Sequence, residues 1–211
     1  MSSSGVLHVP EREFSIEAPW DVPEEVERHA LVRAVDGSAP RLATSFAAYR
    51  DAAALVVVFS GEDDETVAHY LGHDEPLWQE DVVEVFLAPA TSSEYFEFEV
   101  NPLGTTFDAR IVSPNGDRAT MTTDLSWDCN DLFAAVRKVF PIDGTFRLTI
   151  VLRIPFASLT IDPPRPGDVW GANFFRIDRS TKRGDEFMAW QPTRKSPPDF
   201  HVPAAFGRLV F

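Results

Sequence analysis

The segment 77–88, with the sequence LWQEDVVEVFLA, constrains the fold more than any other part of this chain. The residues after its acidic pair are β-branched, aromatic or aliphatic except for Glu84, and this composition predicts a β-strand. Side chains alternate along a strand, so Glu84 faces away from Val83 and Val85. A lone buried carboxylate is unfavourable by several kcal/mol unless it is paired or faces a solvated cleft. We therefore predict that the Glu84 face lines a partly polar concavity, with Trp78 at its mouth.

Short apolar segments of the same kind recur along the chain, separated by turns that contain Pro, Gly and Asp. A chain of 211 residues with 17 prolines and 17 phenylalanines is typical of a loop-rich all-β protein. The predicted strands cover residues 30–35, 41–49, 54–60, 82–87, 95–101, 105–112, 132–140, 146–154, 169–178, 187–191 and 205–211. We predict a single antiparallel β-sandwich with little helix over residues 29–211, preceded by an N-terminal arm over residues 1–28.

Two neighbouring segments, 95–101 and 105–112, alternate regularly and are joined by a Pro-Leu-Gly turn. The residues predicted to face the core are Phe96, Phe98, Val100, Phe107, Ala109 and Ile111. The residues predicted to share the opposite surface, beside Glu84, are Glu97, Glu99, Asn101, Asp108 and Arg110. This surface is either a set of hydroxyl-binding groups or a ladder of solvated cross-strand ion pairs.

The stretch LWQEDVVEVFLAP resembles the signature of carbohydrate-binding module family 9. Three later stretches match in the same order: YFEFEVNPLGT at 95–105, RPGDVWGANFFRID at 165–178, and MAWQPT with DFHVPAAFGRLVF at the C-terminal end. The resemblance covers residues 30–211. It implies a β-sandwich that binds sugars between two tryptophans.

The resemblance also implies roles for individual residues. Trp78 and Trp190 correspond to the two stacking tryptophans, and Glu84 and Asn101 correspond to hydroxyl-binding residues. Glu99 stands where the xylanase-attached members carry an arginine, so a hydrogen-bond donor has become an acceptor. This difference affects the specificity expected for the end of the sugar.

A guanidinium group is then expected from another position, either Arg110 or Arg176. A pyranose presents flat C–H patches that match aromatic rings, and adjacent hydroxyl pairs that match carboxylate, amide and guanidinium groups. The expected partner is a mono- or oligosaccharide, bound without catalysis.

The formal charge of −14 argues against nucleic acid or an anionic membrane as a partner, because both need basic surfaces. No apolar run approaches the roughly 18–20 residues of a membrane span. The first residues lack a basic and an apolar region, so we expect a cytoplasmic protein if Met1 is native and a secreted one if a leader was removed. The single Cys129 cannot form an intramolecular disulfide and is expected to be a small buried hydrophobe.

The acidic segment 61–76 has three interpretations. Its clustered carboxylates, Glu62 to Glu65 and Asp74, could bind Ca²⁺. His69 and His73, four residues apart, could hold a transition metal on a short helix. The simplest interpretation is a solvated loop whose acids keep the protein soluble.

Two other functions use the same fold class. A haem or redox-cofactor domain would need axial ligands, for which Met121, Met188, His69 and His201 are available. A glycosidase would need two carboxyl groups such as Glu84 and Glu99, roughly 5–10 Å apart across the scissile bond. Non-catalytic sugar binding remains the principal prediction.

Overall fold

The computed structural model describes residues 5–91, 93–140, 146–159 and 162–211. Its strands are β1 (Val6–His8), β2 (Arg28–Ala30), β3 (Val32–Arg33), β4 (Thr44–Arg50), β5 (Ala54–Asp63), β6 (Val82–Thr91), β7 (Glu94–Val100), β8 (Thr106–Val112), β9 (Thr122–Asp124), β10 (Phe133–Val139), β11 (Phe146–Pro155), β12 (Val169–Asp178), β13 (Glu186–Ala189) and β14 (Gly207–Val210). Within these ranges, helical structure is limited to three short 3-10 turns at Leu77–Gln79, Phe156–Leu159 and Pro203–Ala205. In the described part of the chain, no helix is long and apolar enough to cross a bilayer. The sequence also predicts that strands 132–140 and 146–154 form a hairpin closed by a turn at Asp143 and Gly144, and this turn lies outside the described residues.

The strands form two sheets, and the predicted all-β sandwich is confirmed. A nine-stranded sheet has the path β1-β14-β12-β6-β7-β8-β9, and β13 pairs with both β12 and β3. A five-stranded sheet has the order β10-β11-β5-β4-β2. Most neighbours are antiparallel, and β1 pairs with β14 in parallel.

Three apolar clusters account for the packing of these sheets. The largest lies between them and includes Val83 and Val85 of β6, together with the alternate residues of β11 from Phe146 to Ile154. A second cluster covers the outer face of the nine-stranded sheet, and a third covers the outer face of the five-stranded sheet. The nine-stranded sheet is therefore buried on both faces, which determines where a site can form.

The alternation predicted for β6 is confirmed. Val83 and Val85 contribute to the cluster between the sheets, while Val82 and Phe86 belong to the outer cluster. Glu84, between them, points to the outer face and lines a cavity there. For β12, whose inward face the pattern left open, the structure puts Phe174 between the sheets and Phe175 outside.

Some boundaries differ from the sequence prediction. The predicted strand 30–35 is two strands, because the chain crosses at the buried Leu31 from the five-stranded sheet, where β2 pairs with β4, to the nine-stranded sheet, where β3 pairs with β13. β5 extends through Asp63 into the segment predicted to be a loop. β9 lies within the long loop predicted at 113–131.

The predicted surface on β7 and β8 is wrong for β8. In the register of the two strands, Phe98 lies opposite Asp108, and Glu99 lies opposite Phe107. Phe107 therefore faces outward with Glu99, and Asp108 and Arg110 lie on the other face of the sheet. Alternation fixes which residues of a strand share a face, but it does not say which face is inward when both faces are buried.

The described part of the N-terminal arm packs on the sandwich. β1 adds a strand beside the C-terminal β14, and Leu7 and Val9 join the cluster between the sheets. Phe14 and Trp20 pack against the outer cluster of the five-stranded sheet. The domain boundary at residues 28 and 29 stays a prediction.

Candidate functional site

The outer face of the nine-stranded sheet holds a cavity of about 450 Å³, which we call the outer cavity. Strands β6, β7, β8, β12 and β13 supply its floor, and the segments around residues 118–125, 179 and 198–201 supply its rim. Its lining comprises Trp78, Phe107, Met121, Leu125, Ile177, Phe187, Pro198 and Phe200, with Glu84, Glu97, Arg118, Thr123, Arg179, Asp199 and His201 as the polar members. A mostly apolar cavity with a few convergent polar groups is typical of a small-molecule site.

Trp78 is held at the cavity by the 3-10 turn Leu77–Gln79. Leu77 is fully buried and anchors the turn, while Trp78 keeps 41% of its surface exposed. The indole meets the ring of Phe107 edge to face at 5.3 Å, and the Trp78 carbonyl accepts a hydrogen bond of 2.8 Å from the Arg179 guanidinium. The ring is therefore fixed in place but still open to a ligand, as predicted for the mouth of the concavity.

A second partly exposed ring of the lining belongs to Phe187 on β13. The guanidinium of Arg179 lies 5.1 Å from the centre of this ring, and Phe200 lies 6.1 Å from it. Sequence reasoning did not single out Phe187, because an isolated phenylalanine in a short strand carries no signal beyond ordinary packing.

Three buried carboxyl groups lie together at the floor. Glu84 on β6 is opposite Glu99 on β7, and Glu97 is two residues from Glu99 on the same face. Their exposed fractions are 2%, 0% and 5% for Glu84, Glu99 and Glu97. One oxygen from each lies within 4.8 Å of the others. We call these three residues the floor triad.

Burial raises the pKa of every member of the floor triad. For Glu84 and Glu99 the pKa lies well above the usual range, because burial penalises the charged form and the neighbouring carboxylates add repulsion. For Glu97 burial raises the pKa to about 7. Glu84 Oε1 and both Glu99 oxygens have no hydrogen bond of ordinary geometry, although the Glu97 carboxyl lies near enough to raise the Glu99 pKa and the backbone N–H of Trp78 near enough to lower it.

Two arginines line the outer cavity, and neither was predicted there. Arg179 donates to Asp185 at 2.6 Å, and Arg118 donates to Asp199 at 2.9 Å. Both arginines come from charged loops, and the sequence of a loop does not indicate where its side chains point. No signal in the sequence therefore identified them.

His201, also in the lining, contacts the floor triad. It lies 2.8 Å from the Tyr95 hydroxyl through Nδ1 and 3.9 Å from Glu97 through Nε2. Burial lowers the pKa of His201 to about 4, so it is neutral at physiological pH.

Asn101 and Arg110 do not reach the outer cavity. The Asn101 amide donates to the Tyr70 carbonyl at 2.9 Å, and its oxygen accepts from the backbone N–H groups of Leu103 and Thr105, so it closes the hairpin between β7 and β8. Arg110 pairs with Glu94 at 3.0 Å on the opposite face. This placement contradicts the prediction that Asn101 and Arg110 contact a ligand in the concavity.

Arg176 lies between the sheets and not in the outer cavity. Its guanidinium donates to the Thr44 hydroxyl at 2.8 Å and to the Glu62 carbonyl at 2.9 Å, and it pairs with Asp63 at 3.2 Å. A Cβ on Gly61 would lie 2.4 Å from this group, so the glycine is required for the close approach. The predicted role of Arg176 in hydroxyl binding is therefore replaced by a structural one.

Trp190 is a core residue, and its predicted position at the rim is wrong. Only 2% of its surface is exposed, and its ring packs against Phe46 and Phe174 in the cluster between the sheets. A Cβ on Gly207 would lie 2.2 Å from the indole, which leaves no room for a ligand on that side. Trp78 and Trp190 therefore do not form the predicted clamp in this structure.

Three of the clustered acids of segment 61–76 have separate protein partners. Asp63 pairs with Arg176, Asp64 with Arg183, and Glu65 accepts from the Thr181 hydroxyl at 2.6 Å. They do not converge on one point as a calcium loop would. In the described parts of the chain, side chains that could jointly hold a cation form two other groups, the floor triad and His73 with Asp108 and Asp128.

The predicted histidine pair does not share a helical face, because residues 64–76, all of them described, contain no helix. His69 pairs with Glu80 at 2.8 Å, and His73 approaches Asp74 at 3.4 Å. Of the candidate haem ligands, Met188 is buried in the core between the sheets, whereas Met121 and His201 line the outer cavity.

Comparison with known proteins places the chain among sugar-binding domains. The sequence profile of carbohydrate-binding family 9 matches residues 36–211. A curated relative, an extracellular protein of Arthroderma benhamiae, is 28% identical over 144 residues; the match covers 65% of this chain and 64% of that protein. The chain thus spans slightly less than two thirds of that relative.

Solved structures share the fold. A candidate carbohydrate-binding protein from Bacteroides uniformis superimposes with a TM-score of 0.74 at 20% identity, covering 98% of both chains. A carbohydrate-binding module of family 9 from Caldicellulosiruptor kristjanssonii, in complex with cellotriose, gives 0.64 at 16% identity over 97% of this chain and 92% of that one. The same module in complex with glucose gives 0.65 at 18% identity, over 97% and 94%.

Proposed function

Because the chain belongs to carbohydrate-binding family 9, we propose that the outer cavity binds a mono- or oligosaccharide and holds a sugar ring against Trp78. The observation that carries the proposal is the meeting, in one cavity of about 450 Å³, of an exposed indole face and buried carboxyl groups. A cavity of this size accommodates one or two sugar rings.

The indole supplies most of the apolar contact in this proposal. Stacking one face of a pyranose on Trp78 removes ~50–100 Å² of apolar surface from water, which at roughly 25 cal/mol per Å² contributes ~1.5–2.5 kcal/mol. We expect simple sugars to bind at about micromolar to millimolar strength. Phe187, the other partly exposed ring of the lining, takes the position of second aromatic wall that the sequence assigned to Trp190.

Hydroxyl groups of the ligand would meet Glu84 and Glu97 at the floor and Arg179 at the rim. Carboxylates accept from sugar hydroxyls, and a guanidinium donates to them. Arg179 is well placed for this because its contacts with the Trp78 carbonyl and the Phe187 ring hold it between the two aromatic side chains.

The proposed role is non-catalytic. A glycosidase needs two carboxyl groups on either side of the scissile bond, separated by roughly 5–9.5 Å. Here one carboxyl oxygen from each of Glu84, Glu97 and Glu99 lies within 4.8 Å of the other two on one floor, and Glu99 is fully buried. This arrangement favours holding a ligand over cleaving one.

Titration calorimetry with glucose and cello-oligosaccharides tests the proposal, using the wild type and Trp78→Ala. We expect the variant to bind ~10–100-fold more weakly, because it loses the stacking surface, while its melting temperature stays close to that of the wild type. Phe140→Ala is the matched control, since Phe140 is an exposed aromatic residue outside the cavity and its loss should not change sugar affinity. Full retention of sugar binding by Trp78→Ala would place the site elsewhere on the sandwich.

A further inference from the structure

We propose that the floor triad of Glu84, Glu97 and Glu99 recognises the ammonium group of an amino sugar, so that the outer cavity prefers a sugar with a free amine over its neutral counterpart. This inference deepens the proposed function and rests on it. It concerns which sugar is bound, and its test separates that choice from the question of whether sugars bind at all.

The geometry of the floor triad matches an ammonium ion. An ammonium group has three N–H donors in this setting, and charge-assisted bonds of about 2.8 Å put their tetrahedrally arranged acceptors roughly 4.6 Å apart. The three carboxyl groups each offer one oxygen within 4.8 Å of the other two. Glu84 Oε1 and both oxygens of Glu99 are buried without a hydrogen bond of ordinary geometry, although Glu97 lies close enough to Glu99 to raise its pKa through a shared proton.

In the described part of the chain, the floor triad has no directly paired cation, and Arg118 and Arg179 lower the pKa of Glu84 only from beyond ion-pair distance. Among the described residues, no lysine or arginine forms an ion pair with any of its members. The two arginines of the cavity are engaged with Asp185 and Asp199. A cationic ligand would therefore supply charge compensation that the protein itself does not provide.

Two further observations favour an amine over a neutral hydroxyl or a metal ion. A hydroxyl donates one hydrogen bond and cannot satisfy three carboxyl groups, whereas buried acceptors left unpaired are unfavourable. Ca²⁺ takes six to eight oxygen ligands, and the floor offers one convergent oxygen from each of three carboxyl groups. The formal charge of −14 also attracts cationic ligands over longer distances.

Competitive calorimetry at pH 7 in the presence of excess EDTA tests the inference with three matched sugars: glucose, glucosamine and N-acetylglucosamine. We expect glucosamine to bind at least ~10-fold more tightly than either neutral sugar, and the advantage to shrink in high salt as charges are screened. Glu99→Gln keeps the shape of the side chain but cannot become a carboxylate when an ammonium group binds, and it should bring the ratio of glucosamine to glucose affinity close to one. Glu27→Gln replaces an exposed acid just before β2 of the other sheet and should leave the ratio as in the wild type.

Each outcome bears on the inference. Equal or tighter binding of glucose than of glucosamine overturns it while leaving sugar binding intact. An undiminished preference in Glu99→Gln overturns it as well. Binding of Ca²⁺ alone, without EDTA and abolished by Glu99→Gln, would make the floor triad a metal site instead. Absence of binding by all three sugars would mean that the proposed function itself fails.

Discussion

The two faces of the nine-stranded sheet are both buried, but carboxyl groups and tryptophans have different surroundings on each face. Between the sheets, the guanidinium of Arg176 neutralises Asp63 and Asp178, and Trp190 is sealed in the core. On the outer face, the floor triad has no such cation and Trp78 is open to a ligand. Acids paired with a cation and closed packing indicate a structural role, whereas buried carboxyl groups without a paired cation and an open ring indicate a candidate ligand site.

The contrast shows that burial alone does not identify a functional carboxylate. Burial raises the pKa of Asp63 and Asp178, and Arg176 lowers it again. On the outer face, the neighbours of Glu99 include Glu84 and Glu97, which raise its pKa further. The two faces differ in what lies beside their buried carboxyl groups: an arginine between the sheets and other carboxyl groups on the outer face. Four substitutions test this difference.

The largest effect is expected for Trp190→Ala. Removing a fully buried indole leaves a cavity between Phe46, Phe174 and Gly207, and we expect a loss of about 4–5 kcal/mol in the free energy of unfolding. Denaturant titration measures it, with Trp78→Ala as the matched control, for which the loss should be below ~1 kcal/mol. Similar losses for the two variants would contradict the contrast between the faces.

The second largest effect is expected for Arg176→Met. The substitution leaves Asp63 and Asp178 buried without their cation, and breaking a buried pair in this way lowers the free energy of unfolding by about 3 kcal/mol. Because burial already raises the pKa of both acids, the loss should be smaller at pH 5, where they can take up protons, than at pH 8. A loss that does not change with pH would show that packing, and not charge, dominates at this position.

Glu99→Gln is expected to stabilise the protein. A carboxyl group with a raised native pKa contributes stability that is full below the unfolded pKa, about 4.3, and is lost as the pH rises through the native pKa. Burial raises the pKa of the coupled Glu97 to about 7, so the wild type should lose stability between about pH 4 and 7. The groups that face the floor triad are the arginines Arg118 and Arg179, the neutral His201, Tyr95 and Asp199.

We expect Glu99→Gln to raise the free energy of unfolding by about 1–2 kcal/mol at pH 8 and to change it little at pH 4.5. Thermal melts of both proteins across this range measure the difference. Glu27→Gln again serves as the control, since it removes an exposed charge elsewhere. Destabilisation at pH 8 would mean that Glu99 makes a contact in the native state that an amide cannot replace.

The smallest effect is expected for Arg110→Ala. Arg110 pairs with Glu94 in a largely exposed salt bridge, which contributes about 0–1 kcal/mol. Sugar affinity should not change, because the side chain lies on the face opposite the outer cavity. A fall in sugar affinity, measured by calorimetry, would restore the ligand-binding role that the sequence suggested for Arg110.

The sequence by itself determined the fold class and the centre of the proposed site. Alternation in β6 separated Glu84 from Val83 and Val85, and the local sequence placed Trp78 beside that strand. The four ordered blocks pointed to the family that the profile match identifies. These features are local in the chain, since each depends on the two-residue period of a strand or on a short run of residues.

Only the tertiary structure decided which other residues lie with Glu84 and Trp78 at the outer cavity. Both faces of β8 and β12 are buried, so the period of two could not tell that Phe107 faces the cavity and that Arg176 lies between the sheets. Likewise, Trp190 is a core residue because Gly207, which has no Cβ, allows β14 to pack against its indole. Arg179 reaches the cavity from a loop whose direction depends on contacts with distant residues, and such long-range contacts leave no periodic trace in the sequence.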